Sequence, residues 1–256
     1  MSPVFRLLAA TLPAVLAGCA GPSGDAPEQL SVTVLQAIPH DSAAYTQGLE
    51  IHDGILWEST GLYGQSTLRM LNPRDGTILE TRSLPDTLFG EGITIIGDTL
   101  YQLTWRAGTV LAWNTDSLPP PASHPLDTEG WGICSPGDGT VFTSDGSSSL
   151  IIRSLPTFEA LDTVMVTRDG VPLQWLNELE FHDGMVYANR YYSDFVYVID
   201  PSCGKVIAEI DASDLRRTLN APSAGVLNGI AWDPAGNAFL LTGKNWPMIF
   251  AVRIRG

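Results

Sequence analysis

The chain has 256 residues, 44% of them apolar and only 16% charged, with 28 acidic against 14 basic side chains and a formal net charge of −14. That length is ample for one large hydrophobic core. Phosphate backbones require clustered Lys and Arg, so the composition argues against nucleic acid as a partner, and the acidic excess speaks to solubility rather than to fold.

The first residues read as a processing segment. One positive charge, Arg6, precedes an apolar run over 7–17, which is too short to cross a bilayer but has the length of a secretory h-region. The run ends "LAGC" at 16–19, which resembles a bacterial lipoprotein box, where cleavage precedes the cysteine and the thiol is acylated. A signal peptide over 1–18, a lipid on Cys19, a flexible tether over 19–29 and a folded domain over 30–256 are therefore expected. The protein would then be exported to the periplasmic side of a bacterial membrane and touch that membrane only through its lipid. An ordinary signal peptide ending near a cysteine is the alternative. Cys134 and Cys203, 69 residues apart, suit either a disulfide or two buried thiols.

The run "LSVTVLQAIP" at 30–39 reads as a strand. After it one frame recurs: a short apolar strand, an Asp/Gly turn and a second strand. The copies are "GLEIHDGILWEST" from Gly48, "GITIIGDTLYQLT" from Gly92, "GICSPGDGTVFTSD" from Gly132, "ELEFHDGMVYANR" from Glu178 and "GIAWDPAGNAFLLTG" from Gly229. Spacings of 44, 40, 46 and 51 residues, filled by strands, are the signature of propeller blades. A third strand such as "DFVYVID" and a fourth such as "KVIAEID" complete a repeat, and only "ASDLRR" at 212–217 suggests helix. The last copy has three strands, and the run at 30–39 is the natural fourth. The expectation is an all-β, five-bladed propeller whose ring is closed by the N-terminal strand completing the last blade. His52 and His182, in "HDG", are then hairpin residues rather than metal ligands.

Residues just before each first strand line one mouth of such a ring. One position ahead of the shared frame the chain has Gln47, Glu91, Trp131, Asn177 and Asn228. Glu91, flanked by glycines in "FGEG", is the candidate acid–base group, since desolvation would raise its pKa toward neutrality. Lys244 in "LTGKNWP" is a rare cation beside Trp246, and Trp105, Trp131 and Trp246 are candidates for an apolar wall. No nucleophile system, phosphate loop or pair of histidines at ligand spacing is present in the sequence.

The ordered segments "YTQGLE", "ESTGLYGQSTLR", "FGEGIT", "LTW", "EGWGI", "TSDGS", "LNELE" and "LTGKNWP" resemble the glutamine cyclotransferase family, the plant-type and bacterial glutaminyl-peptide cyclotransferases. The resemblance runs from about residue 40 to the C-terminus. It implies a five-bladed propeller that converts N-terminal glutamine of peptides to pyroglutamate with release of ammonia, without a catalytic metal. No cofactor is expected, and a monomer is. It implies Glu91, Asn177 and Lys244 as catalytic residues, with Tyr45, Gln47, Phe89, Trp105, Trp131 and Tyr191 around the substrate. Two departures stand out. Tyr45 occupies a position where Phe is common, and Tyr191 one where Trp is expected, which makes that part of the wall smaller. Two rival readings of the residues remain: a propeller that binds a peptide or sugar without turnover, and a lactonase or phosphatase with a calcium centre. The second would want several axial carboxylates, and the positions named above offer one.

Overall fold

The computed structural model describes residues 26–256; the expected signal peptide, Cys19 and the start of the tether lie outside them. The regular structure of the described residues is strand throughout except for one short helix. After β1 (Glu28–Pro39), β2 (Thr46–His52), β3 (Ile55–Thr60), β4 (Thr67–Leu71) and β5 (Ile78–Ser83) form an antiparallel sheet in chain order. β6 (Gly90–Ile96), β7 (Thr99–Thr104), β8 (Thr109–Asn114) and β9 (Ala122–Pro125) form a second. β10 (Ile133–Cys134), β11 (Thr140–Thr143), β12 (Ser149–Ser154) and β13 (Ala160–Met165) form a third. A small hairpin, β14 (Thr167–Arg168) and β15 (Val171–Pro172), leads into β16 (Leu176–His182), β17 (Met185–Arg190), β18 (Phe195–Asp200) and β19 (Lys205–Asp211). The helix α1 (Ser213–Thr218) precedes β20 (Leu227–Asp233), β21 (Ala238–Gly243) and β22 (Met248–Arg255). β1 pairs antiparallel with β22, from Ser31 opposite Arg255 to Pro39 opposite Met248, and its first residues pair parallel with β19. No helix among the described residues is long and apolar enough to cross a membrane.

The turns obey simple backbone rules. His52 pairs with Ile55 and His182 with Met185, so each histidine ends a strand and Asp-Gly alone makes the loop. Asp53 and Gly54 (φ 49° and 75°) and Asp183 and Gly184 (φ 50° and 79°) are left-handed at both central positions, as a hairpin turn matching the strand twist demands. His182 stacks on Trp232 with 3.9 Å between ring centres, which is packing rather than ligation. Among the described residues no group of three His, Cys, Asp or Glu is set to hold a metal. Cys134 is a free, buried thiol, so the pairing with Cys203 left open by the sequence does not form.

Alternating apolar residues place five core clusters between neighbouring sheets. Trp57, Leu68, Ile93 and Leu111 join the first two sheets, and Tyr101, Val110, Ile133 and Val141 the second and third. Cys134, Leu150, Leu179 and Val186 continue the series. Val198, Ile210, Ile230 and Phe239 bind β16–β19 to β20–β22, and Ile38, Leu49, Leu56, Leu240 and Ile249 bring the last strands against the first sheet. Trp246 is fully buried in this packing, its indole N–H donating to the Gly225 carbonyl, so it belongs to the core and not to the apolar wall the sequence offered it for.

The first strands meet backbone to backbone, which explains the shared glycine of the repeat. A Cβ on Gly48 would sit 2.7 Å from the Ile93 nitrogen, one on Gly92 2.8 Å from the Trp131 oxygen, and one on Gly132 2.0 Å from the Asn177 oxygen. The fourth copy carries Glu178 instead. Its carboxylate is buried and accepts the backbone N–H of Ile230 (2.9 Å) and of Leu49 (3.3 Å), tying three first strands together. Burial pushes this carboxyl well above its ordinary range, against the pull of those two N–H groups, and Glu50 pushes it further. With Glu50 and Glu180 it adds three interior carboxylates to the one read from the sequence. Glu178→Ala strands two buried N–H groups, each worth roughly 1–3 kcal/mol. Denaturant unfolding is expected to show a loss of about 2 kcal/mol or more, and Glu178→Gln, which keeps one acceptor, a smaller loss.

Candidate active site

Four first strands carry a register shift at the same place. It falls between Thr46 and Gly48, Gly90 and Ile93, Leu176 and Leu179, and Leu227 and Ile230. A bulge adds a residue to one strand and re-aims its side chain away from the regular alternation. The residues released in this way are Gln47, Glu91, Asn177 and Asn228, the positions singled out by the repeat frame. A second row comes from residues directly after the second strands: Trp105 after β7, Tyr191 after β17 and Lys244 after β21. One hydrogen bond recurs between the rows. Gly61 donates to the Tyr45 carbonyl, Trp105 to Phe89, Tyr191 to Trp175 and Lys244 to Val226, all at 2.8–3.1 Å.

These rows converge on a cavity of about 180 Å³ lined by Tyr45, Gln47, Phe89, Glu91, Trp105, Trp131, Asn177, Tyr191 and Lys244. All nine residues anticipated for the site are there. Gln47, Glu91, Asn177 and Lys244 are buried in it. The Asn228 amide donates to Gln47 Oε1 (3.2 Å) and to the Thr46 carbonyl (3.0 Å), which turns the Gln47 amide so that it hydrogen-bonds Glu91.

Electrostatics follow from burial. Desolvation raises the Glu91 carboxyl well above its ordinary range; Lys244 and Gln47 pull it back, and the charge on Glu129 adds to the rise. Burial also draws the Lys244 ammonium down to about 8, opposed by Glu91. That ammonium lies 4.6 Å from the Tyr45 ring centre and 4.9 Å from that of Tyr191, so two π-faces replace part of its hydration. Glu91 Oε2 and Asn177 Oδ1 are buried without a hydrogen-bond partner. Orphaned acceptors are costly in a folded protein, and these two belong to residues lining one cavity, where hydrogen-bond donors of a ligand could satisfy them.

The wall has a support that sequence reasoning missed. Glu129 Oε2 accepts both the Trp105 indole N–H (2.9 Å) and that of Trp131 (3.0 Å), while Arg106 donates to Oε1 (2.8 Å) and lies 3.9 Å over the Trp105 ring. One carboxylate thus fixes two rings of the wall. Gly146 makes room for the second: a Cβ there would sit 2.6 Å from the Trp131 ring. The signal was available, because Glu129 stands two residues before Trp131 in "EGWG". Trp175 was missed too, although it holds the place in the frame that Tyr45 and Phe89 hold in theirs.

The chain as a whole also matches known proteins. The family model described as Glutamine cyclotransferase matches residues 6–254. The chain is 35% identical over 231 residues to the glutaminyl-peptide cyclotransferase of Arabidopsis thaliana, covering 88% of this chain and 71% of that one. It is similar to the crystal structure of Myxococcus xanthus glutaminyl cyclase, with a TM-score of 0.82 and 36% identity over 89% of this chain and 98% of that one. A Bacteroides thetaiotaomicron protein of unknown function shares the fold alone, with a TM-score of 0.55 and 10% identity over 88% of this chain and 76% of the other. With a bulge-built acid and amide facing a buried amine, and a match along nearly its whole length, the chain belongs to the glutamine cyclotransferase family.

Proposed function

We propose that this protein is a glutaminyl-peptide cyclotransferase, closing the N-terminal glutamine of a peptide into pyroglutamate and releasing ammonia, in the cavity between Glu91, Asn177 and Lys244. Family membership and the two glutaminyl cyclase relatives support the activity. The observation that carries the site is the convergence of one raised carboxyl, one amide with a free acceptor and one desolvated ammonium inside a single aromatic cavity.

The chemistry needs no external nucleophile. The substrate α-amine attacks its own γ-carboxamide carbon; a C–N bond forms, a tetrahedral oxyanion develops, and the bond to the amide nitrogen breaks as that nitrogen takes up a proton. The protein must hold the glutaminyl chain folded, so that the ordering cost falls on binding rather than on the chemical step. Trp105, Trp131, Phe89 and Tyr191 supply that enclosure. Glu91 accepts a proton from the attacking amine and returns it to the leaving nitrogen, a role for which a carboxyl raised above its ordinary range by burial is suited. Asn177 holds the carboxamide, and Lys244, with Asn177, steadies the oxyanion at short range in a site poor in water. Gln47, fixed by Asn228, keeps Glu91 in line.

The fold that supports this is a five-bladed propeller, each four-stranded sheet one blade and β1 the outer strand of the last. The cyclic succession of core clusters and the pairing of β1 with β22 support it. The "LAGC" box supports export and anchoring through a lipid on Cys19, with the domain on the periplasmic side. The test of function is direct. A synthetic peptide beginning with Gln, incubated with the protein, is expected to lose one ammonia by mass spectrometry, while the same peptide beginning with Asn is left unchanged. No ammonia release from any Gln peptide would overturn the assignment.

A further inference from the structure

We propose that Trp175 and Tyr192 form a subsite for the peptide residue that follows the N-terminal glutamine, and that this subsite selects aromatic side chains there. The inference rests on the cyclotransferase reading and extends it from the reacting residue to its neighbour.

Position in the repeat comes first. Trp175 immediately precedes β16 as Tyr45 precedes β2 and Phe89 precedes β6, and its carbonyl accepts from Tyr191 (2.9 Å) as those of Tyr45 and Phe89 accept from Gly61 and Trp105. Tyr45 and Phe89 line the cavity; Trp175 is their counterpart at its rim. Continuity comes next. The Trp175 ring lies 6.4 Å from that of Trp131, Trp131 lies 6.1 Å from Tyr191, and Tyr191 lies 4.0 Å from Tyr192. Two rings of the cavity wall therefore run outward into two rings of the surface without a break. The wall expected to be narrow at Tyr191 is extended sideways by these neighbours.

Exposure and strain point the same way. Trp175 is 49% exposed and Tyr192 75%, an arrangement that folding alone does not reward in large aromatic side chains. Both have left-handed backbones, φ 72° and 64°, a region costly for bulky residues and concentrated at ligand clamps. The Trp175 N–H is fixed to the Gly146 carbonyl (2.9 Å), so the strained conformation is held. A cavity of about 180 Å³ has room for the glutaminyl residue, and the next residue must leave across the rim. An aromatic side chain leaving there would have an indole and a phenol to pack against.

Another stretch of rim offers a contrast. Tyr63 is 50% exposed and packs on Phe89 (5.5 Å) and Trp105 (6.5 Å), and Trp105 is covered by the guanidinium of Arg106, which pairs with Glu129. Steady-state kinetics on Gln-Phe and Gln-Gly peptides of equal length decides between the rims. Wild type is expected to favour Gln-Phe by about tenfold in kcat/KM, mostly through KM, the size of one good aromatic contact with its buried area. Trp175→Ala and Tyr192→Ala are each expected to shrink that ratio to within about twofold of unity, and Tyr63→Ala to retain it. A merely structural loss lowers both substrates together and leaves the ratio in place, which would overturn the subsite. So would a wild type indifferent to the second residue, or a ratio abolished by Tyr63→Ala and kept by Trp175→Ala. In each of those cases ammonia release from Gln-Gly still upholds the cyclotransferase reading, and its absence from every peptide sinks both.

Discussion

Glu91→Gln is expected to lower kcat by about 10²–10⁴-fold, the range typical of losing a positioned acid–base group. The substitution keeps volume and hydrogen bonding to Gln47 but removes the proton carrier. KM is expected to move little, because the aromatic enclosure and Asn177 are untouched. Glu91→Asp tests reach separately: its carboxylate is one methylene short, so only part of the rate returns. Stability moves the other way. Glu91 is buried and its folded pKa lies above the unfolded value of 4.5. A raised carboxyl weakens the fold as pH climbs from 4.5 through the folded value, because ionisation is harder inside than out. The Gln variant escapes that loss, so its advantage over wild type in urea is expected to grow with pH. Near-normal turnover in Glu91→Gln removes Glu91 from the proton-transfer role, and a variant less stable than wild type at pH 8 contradicts the desolvation argument.

Why so much of this was legible in the sequence has a physical answer. The repeat was visible because close approach of the first strands admits only glycine at Gly48, Gly92 and Gly132, and because Asp-Gly satisfies a two-residue hairpin. Both are local backbone constraints, and local constraints leave a mark at fixed spacing. The residue ahead of each frame stood out because the bulge that aims it inward is set by the same geometry. What stayed hidden depends on contacts between distant segments. Glu129 reads as an ordinary surface acid until two indoles from separate sheets are seen to share its oxygen. Glu178 reads as a break in the pattern, and only the fold reveals backbone N–H groups 129 and 52 residues away waiting for it. Trp246 looked like wall because it neighbours Lys244, yet the left-handed Asn245 between them (φ 60°) sends the two side chains to different places. A buried carboxylate such as Glu180 carries no sequence mark at all, since burial is a property of the assembled sheets.

His40 is the residue whose loss is expected to cost the fold most. Its side chain and that of Glu58 are both fully enclosed, with Nε2 2.9 Å from Glu58 Oε1 and Nδ1 2.8 Å from the Trp246 carbonyl. Two acceptors on two ring nitrogens require the doubly protonated, charged imidazole. Thr46 donates to the same carboxylate oxygen (2.7 Å), and Arg69, paired with Asp41, lies 3.7 Å from the other. Around this pair, the His40 N–H donates to the Pro247 carbonyl and the Asn245 N–H to that of Ala44, so residues 40–45 are stitched to 244–247. The clamp therefore joins the two loops that carry Tyr45 and Lys244. His40→Ala leaves a buried carboxylate without its cation, a loss of about 3–5 kcal/mol for a broken interior pair. At roughly 2–4 °C per kcal/mol for a chain of this size, the melting temperature is expected to fall by about 10 °C. His40→Gln with Glu58→Gln together removes both charges and is expected to regain part of that loss, which a double-mutant cycle reads as coupling. The pH dependence follows from the signs. Burial alone would lower His40, but Glu58 carries it above 6.5, so its contribution is whole below 6.5 and fades as pH rises through the raised value. Burial alone would raise Glu58, but His40 and Arg69 hold it below 4.5, so its contribution is whole above 4.5 and fades as pH falls through the lowered value. The stability gap between wild type and the double Gln variant is therefore expected to be widest between pH 4.5 and 6.5 and to narrow on both sides. A gap that is flat with pH means the histidine is neutral in the folded chain, and the clamp is then an ordinary hydrogen bond.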